Sequence, residues 1–249
     1  MSAAGLVGWR YQLLPVPREL FEETVRALPA AGFRGANVTI PHKEAALGVA
    51  DSASGSARAI GAANTLVFEP GGAGDDGPTG PIRAYNTDAP ALIAALPFSP
   101  AGKTALVLGA GGSARAAVWA LLDAGAAEVR VWNRTPERAE KLSAGIGGTP
   151  VRTASTADLL VHCTASGLDD PGAMFNSLPL TADELTRYDC VVDFVYRDTD
   201  TPLVSAAKQL SVPSVDGLEL LVRQGALSFE LFTGAPAPVE AMRAALRSQ

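Results

Sequence analysis

The segment GANVTIPHKEAAL (35–47) sets one lysine, Lys43, behind an apolar stretch and a proline, with small residues following. An ammonium pointed from there into a cleft can give a proton to a substrate oxygen as that oxygen gains charge. Turned outward, the same lysine is a solvated group on a helix face. His42 is its neighbour rather than an evident actor. A second stretch, Gly109-Ala110-Gly111-Gly112-Ser113-Ala114, follows the apolar TALVL and opens a small-residue helical pattern. Glycines at 109 and 111 permit a tight turn and close backbone approach, so that amides at a helix start can meet a pyrophosphate. Ala114 stands where a third glycine is common. An ordinary glycine-rich turn has the same composition, but here a strand precedes it, a helix follows it and a second strand comes at the spacing a dinucleotide site requires.

The end of that second strand separates the two nicotinamide dinucleotides. An NAD site places Asp or Glu there to accept from the ribose 2′-hydroxyl, and that charge repels a 2′-phosphate. This chain has Asn133-Arg134-Thr135, with Arg138 one helical turn on. Two guanidiniums hold a phosphate through charge-assisted hydrogen bonds, so NADP(H) is the expected cofactor. The alternative is that Thr135 caps a helix whose first position is Pro136 while both arginines are solvated.

These groups need a frame. Strand and helix patterns alternate along the chain, which predicts an α/β protein. WRYQLLPV (9–16) reads as a strand, and PRELFEETVRAL as a helix starting at Pro17 with Leu20, Phe21, Val25 and Leu28 on one face. ANVTIP (36–41) and NTLVFE (64–69) read as strands; KEAALGVA between them reads as a helix, and SARAIGAA leads into the second strand. PGGAGDDGPTGP (70–81) reads as an exposed hairpin tip before the strand IRAYN. Beyond Asp88 the pattern becomes a regular βαβ series: TALVLG, EVRVWNR, LLVHCTA and CVVDFVY, with helices from about Ser113 and from Pro136. The change of style puts a domain boundary near Asp88. Two amphipathic helices end the chain, the first with Leu218, Leu221, Val222, Phe229 and Phe232 on one face.

Composition limits the function classes. The 249 residues are 47% apolar, enough for a substantial core. No run of eighteen apolar residues occurs and the first residues lack the order of a signal peptide, so the cytoplasm is the expected compartment. Twenty basic against 26 acidic side chains give a net charge of −6, which disfavours nucleic acid and anionic membranes as partners. Cys163 and Cys190 lie in apolar runs without metal-ligand spacing and read as reduced core thiols. With two histidines and no paired ligand spacing, no metal site is expected.

Several motifs occur in one order: NVTIPHK (37–43), GAANTL (61–66), NTD (86–88), GAGGSA, NRTPERA, VDFVY (192–196) and DGLELLVRQG (216–225). In these the chain resembles the shikimate dehydrogenase family from about residue 9 onward. The resemblance implies a Rossmann-type NADP-binding domain (89–220) and a discontinuous α/β substrate-binding domain (1–88 and 221–249), with catalysis in the groove between them. It implies reversible reduction of 3-dehydroshikimate to shikimate, a monomer or homodimer, and a small-molecule substrate as the partner. The family's catalytic lysine and aspartate fall on Lys43 and Asp88, where the carboxylate would orient the ammonium. An Asp88 that only caps the helix at 89–96 is the plainer reading of that residue alone.

Positions that bind substrate in the family fall on Asn37, Thr39, Asn64, Tyr196 and Gln224, mostly neutral groups suited to a polyol ring. Cofactor positions fall on the glycine turn, on Asn133, Arg134, Thr135 and Arg138, and on Thr164 and Gly217. Two departures stand out. His162 replaces the asparagine usual ahead of TASG, and the family's first strand with its HSxSP-like serine loop has no counterpart, since MSAAGLVGWRY aligns with the helix after that loop. Two readings follow: a dehydrogenase of shikimate, quinate or a related cyclohexane acid, or a non-catalytic NADP-binding protein.

Overall fold

The computed structural model describes residues 4–70, 79–168 and 170–247. The chain divides into two compact units, one from Met1–Thr87 with Gln224–Ala245, the other from Asp88–Arg223. No helix among the described residues is long and apolar enough to cross a membrane.

The first unit is built on four strands: β1 (Gly35–Asn37), β2 (Ser52–Ala53), β3 (Thr65–Pro70) and β4 (Thr79–Tyr85), in the order β1-β3-β4-β2. β3 pairs antiparallel with both β1 and β4, whereas β2 joins β4 in parallel. Alternation along β3 sends Leu66 and Phe68 into a core shared with Val25, Val49 and Ile82. Helices α1 (Phe21–Ala27) and α2 (Lys43–Val49) add Phe21 and Ala46 to that core, and α3 (Gly55–Ile60) is capped by the Ser54 hydroxyl, which accepts from Ala57 N at 3.1 Å.

Three expectations fail here. Residues 9–16 form no strand: Leu13 is 87% exposed and Tyr11 62%, and no strand among the described residues pairs with them. A strand is made by its ladder, so an extended apolar run without a neighbouring backbone stays an extended run. The strand expected at 36–41 stops at Asn37, because a turn closed by His42 N donating to Thr39 O at 2.9 Å bends the chain away after the Val38 amide meets Asn64 O. Leu20 is exposed: Arg18–Leu20 is a 3₁₀ turn, which rotates Leu20 off the face that buries Phe21, Val25 and Leu28. The expected hairpin tip falls mainly on residues 71–78, which lie outside the described residues, but β3 and β4 on either side are antiparallel neighbours.

The second unit is a six-stranded parallel sheet of β5 (Thr104–Leu108), β6 (Glu128–Trp132), β7 (Thr149–Val151), β8 (Leu159–His162), β9 (Cys190–Asp193) and β10 (Ser214–Val215). Its order, β10-β9-β8-β5-β6-β7, reverses direction between β5 and β8. Both faces are covered, so the central strands β5, β8 and β9 are apolar through their middles, with His162 and Asp193 closing β8 and β9. Ala105 and Val107 face a core containing residues of α4 (Asp88–Ala95), α5 (Gly112–Asp123) and α6 (Pro136–Ile146). Leu106 and Leu108 face the opposite core, with Leu203 and Ala207 of α7 (Pro202–Gln209).

The division between units falls inside α8 (Gly217–Thr233), and α9 (Val239–Arg247) follows. In α8 the buried apolar residues are Leu220, Val222, Ala226 and Phe229, while Leu218, Leu221 and Phe232 are half-buried. The single face expected from the sequence is therefore offset, because this helix buries more than one side.

Candidate functional site

In the second unit the turn after β5 has the backbone its glycines predict. Gly109 sits at φ 121°, and a Cβ there would meet the Cys163 backbone at 3.0 Å. That contact joins the ends of the two strands between which the sheet reverses, the place where α/β sheets open a crevice for ligands. Gly111 is the extended residue before α5, with open space where its side chain would be, and α5 presents the amides of Gly112, Ser113 and Ala114 at its first turn. Ala110 lies between the two glycines, half-buried, and Ser113 and Ala114 are buried.

At the end of β6, Asn133 Nδ2 donates to Thr135 O at 2.8 Å and shapes the turn into α6. Thr135 stands at the N-cap with Pro136 behind it, yet its hydroxyl makes no capping hydrogen bond. Arg134 and Arg138 are exposed, and neither makes an ion pair with an acidic side chain among the described residues. A strand-end turn with two uncommitted guanidiniums and no carboxylate fits a phosphorylated ribose. A dinucleotide with a 2′-phosphate thus matches this donor set from the glycine turn to the arginines.

Gly217 is buried, and a Cβ on it would run into the Val195 carbonyl and the Tyr196 side chain. Its glycine is required by that close approach. Tyr196 itself is 49% exposed, and Thr164 is half-buried just beyond β8.

In the first unit a cluster of neutral side chains gathers from β1, β3, the end of β4 and α8. Asn64 is 2% exposed. Its Oδ1 accepts from Thr87 N at 2.7 Å, and its Nδ2 donates to Thr87 Oγ1 at 2.9 Å and to Gln224 Oε1 at 3.3 Å. Asn37 Nδ2 donates to Ser228 Oγ at 2.7 Å, and Tyr11 Oη donates to Asn37 Oδ1 at 3.3 Å. Ser228 and Thr65 share a 2.8 Å hydrogen bond, and Ser228 also donates to Gln224 O at 3.0 Å. The expected residues Asn37, Asn64 and Gln224 are thus brought together, while Thr39 is exposed in the turn after β1. Sequence reasoning missed Thr65, Thr87 and Ser228, which hold the amides in place. Ser228 lies four residues after Gln224, on the same helix face, and that spacing was the available signal.

Lys43 is half-buried at the first position of α2, and Ala63 N donates to its carbonyl at 2.8 Å. The preceding His42 is structural: its Nε2 hydrogen-bonds Val16 O at 2.8 Å and its ring stacks on Phe21 at 4.4 Å. Asp88 is 7% exposed and is the first helical residue of α4, inside the first turn rather than before it.

The strand order, with a glycine turn and a helix start at its switch point, defines a Rossmann-type nucleotide-binding fold joined to a second α/β unit. Family models agree: residues 2–66 match the shikimate dehydrogenase substrate binding domain, 93–167 match shikimate / quinate 5-dehydrogenase, and 217–247 match the shikimate 5'-dehydrogenase C-terminal domain. A shikimate dehydrogenase (NADP(+)) of Methylobacterium radiotolerans is 44% identical, over 94% of this chain and 84% of that protein. One of Halobacterium salinarum is 41% identical, over 90% and 82%. The crystal structure of Thermus thermophilus shikimate 5-dehydrogenase with NADP(H) and shikimate superposes with a TM-score of 0.77 at 38% identity, over 94% of this chain and 85% of that one. A Gluconobacter 5-ketofructose reductase reaches 0.78 at 31%, over 94% and 86%. The chain belongs to the shikimate dehydrogenase family.

Proposed function

We propose that this chain is an NADP-dependent oxidoreductase that interconverts 3-dehydroshikimate and shikimate. The observation that carries the reading is its 44% identity, over 94% of its length, to a shikimate dehydrogenase (NADP(+)). In this reading Asp88–Arg223 is the cofactor-binding unit and the remainder, with Gln224 and Ser228, binds substrate.

NADPH supplies the hydride when bound. The amides of Gly111, Gly112 and Ser113 take the pyrophosphate, and Arg134 and Arg138 take the 2′-phosphate, beside Asn133 and Thr135. Hydride arriving at the ketone carbon leaves charge on its oxygen. Lys43 gives that oxygen a proton, and Asp88 is its partner carboxylate, balancing the ammonium and directing it. In the oxidative direction the same lysine, neutral, removes the proton from the hydroxyl. Asn37, Asn64 and Gln224 meet the ring hydroxyls, with Thr39 and Tyr196 as further contacts; their neutrality suits a polyol. Thr164 and Gly217 belong to the nicotinamide end.

The test is direct. Purified protein mixed with NADPH and 3-dehydroshikimate should lose absorbance at the nicotinamide band, and NADP with shikimate should gain it. NADPH binding without turnover of shikimate or quinate in either direction would leave only the non-catalytic alternative.

A further inference from the structure

The carboxyl end of β8 holds a buried histidine–aspartate pair that the proposed reaction does not use. His162, the last residue of β8, is fully buried, and its Nδ1 lies 2.8 Å from Oδ1 of the equally buried Asp193, the last residue of β9. The two face each other in register across the parallel pair. Asp193 Oδ1 also accepts from Val195 N at 2.9 Å, and Oδ2 accepts from Thr201 Oγ1 at 2.6 Å. Thr201 in turn caps α7, accepting from Val204 N at 3.2 Å. A carboxylate offers only acceptors, so the His162 Nδ1 carries a hydrogen and donates it. On its other side, His162 Nε2 lies 2.6 Å from Thr164 Oγ1, which accepts from Ser166 N at 3.1 Å.

These hydrogen bonds begin at the switch point of the sheet. Leu108, His162 and Asp193 align at the ends of β5, β8 and β9, and Cys163 N donates to Leu108 O at 2.8 Å, one residue before the Gly109 turn. The segment after β8 is tied from outside as well. Ser177 Oγ donates to Ser166 Oγ at 2.7 Å, and Arg197 Nη1 donates to Gly167 O and Leu168 O at 3.1 and 2.7 Å. Those ties fix its far end. The Thr164 hydroxyl connects its first turn to the fully buried His162 at the strand end.

We propose that His162 is a positioning residue for cofactor binding, setting the turn Thr164–Ser166 against the dinucleotide through the Thr164 hydroxyl, with Asp193 as its anchor. The inference rests on the NADP reading given above. The imidazole spans what a shorter side chain cannot: it reaches β9 with one nitrogen and the turn with the other.

The test is a double-mutant cycle. His162→Asn keeps a donor close to the strand but cannot span to Thr164, and Thr164→Val removes the hydroxyl while keeping the shape. NADPH affinity, read from nicotinamide fluorescence, should fall about tenfold in each variant and no further in the double variant, while the KM for shikimate at saturating NADP stays within about twofold. Hydrogen exchange of the peptide at 163–168 should quicken in both. Folded variants that bind NADPH as the parent does, or effects that add, overturn the role of His162. Absence of NADPH binding by the parent overturns the cofactor reading itself. If His162→Asn does not fold, His162→Gln takes its place in the cycle with the same outcomes.

Discussion

The amide of Asn37 donates to Ser228 Oγ at 2.7 Å across 191 residues of chain, tying the edge strand β1 to the helix α8 near the end of the sequence. Ser228 is 1% exposed and is the point where hydrogen bonds from Asn37 and Thr65 converge. Its hydroxyl holds one of the amides assigned to substrate.

Ser228→Ala should therefore act on stability and substrate together. Removing a buried partner leaves the Asn37 amide short of an acceptor, at about 1–3 kcal/mol. Thermal unfolding should begin several degrees lower, at roughly 2–4 °C per kcal/mol for a chain of this size. KM for shikimate should rise while NADPH affinity holds. An unchanged KM would assign Ser228 to stability alone.

Lys43→Ala should lower kcat by about two orders of magnitude or more, the usual weight of a positioned proton donor. NADPH binding should be unaffected, since Lys43 belongs to the unit without the glycine turn. Stopped-flow turnover with saturating ligands reads this; a kcat within a few-fold of the parent would remove Lys43 from the proton transfer.

Arg134→Ala and Arg138→Ala should each erode the preference for NADP over NAD. A hydrogen bond to a charged group contributes about 1.5–3 kcal/mol, so the ratio of kcat/KM for the two cofactors should shift by roughly tenfold or more per arginine. Because neither makes an ion pair with an acidic side chain among the described residues, thermal stability should barely move. A constant ratio would mean the guanidiniums are solvated.

The parts of this fold legible in the sequence are those whose cause is local. Apolar runs such as Ala105–Leu108, buried on both faces, declare a central parallel strand, and Gly109 declares the turn because few other residues fit its backbone. The remainder depends on distant neighbours. Residues 9–16 have strand composition, but pairing decides whether they become one. His162 and Asp193 are 31 residues apart, and only the register of β8 on β9 brings them together. Thr65, Thr87 and Ser228 look like ordinary surface hydroxyls until four elements converge on them.

At the opposite end of the parallel sheet, Asp158 offers a test of stability with no bearing on the chemistry. Its Oδ2 accepts from Thr104 N at 2.7 Å and from Thr104 Oγ1 at 2.8 Å, and its Oδ1 from Lys103 Nζ at 3.0 Å. The Thr104 amide first, then Lys103 and the Thr104 hydroxyl, hold its carboxyl down to about 2, from an ordinary 3.8. A group whose pKa is depressed on folding stabilises fully above its unfolded value, and the contribution fades as pH falls toward the folded one. With the side chain 27% exposed, screening reduces the effect to roughly 1–2 kcal/mol. Urea unfolding of the parent and of Asp158→Asn should show that gap at about pH 6 and about half of it near pH 3. The difference arises because the parent loses its charged acceptor while the variant never had one. A gap that stays constant from about pH 6 to pH 3 would mean that the ionised form of Asp158 contributes nothing beyond what the neutral amide supplies.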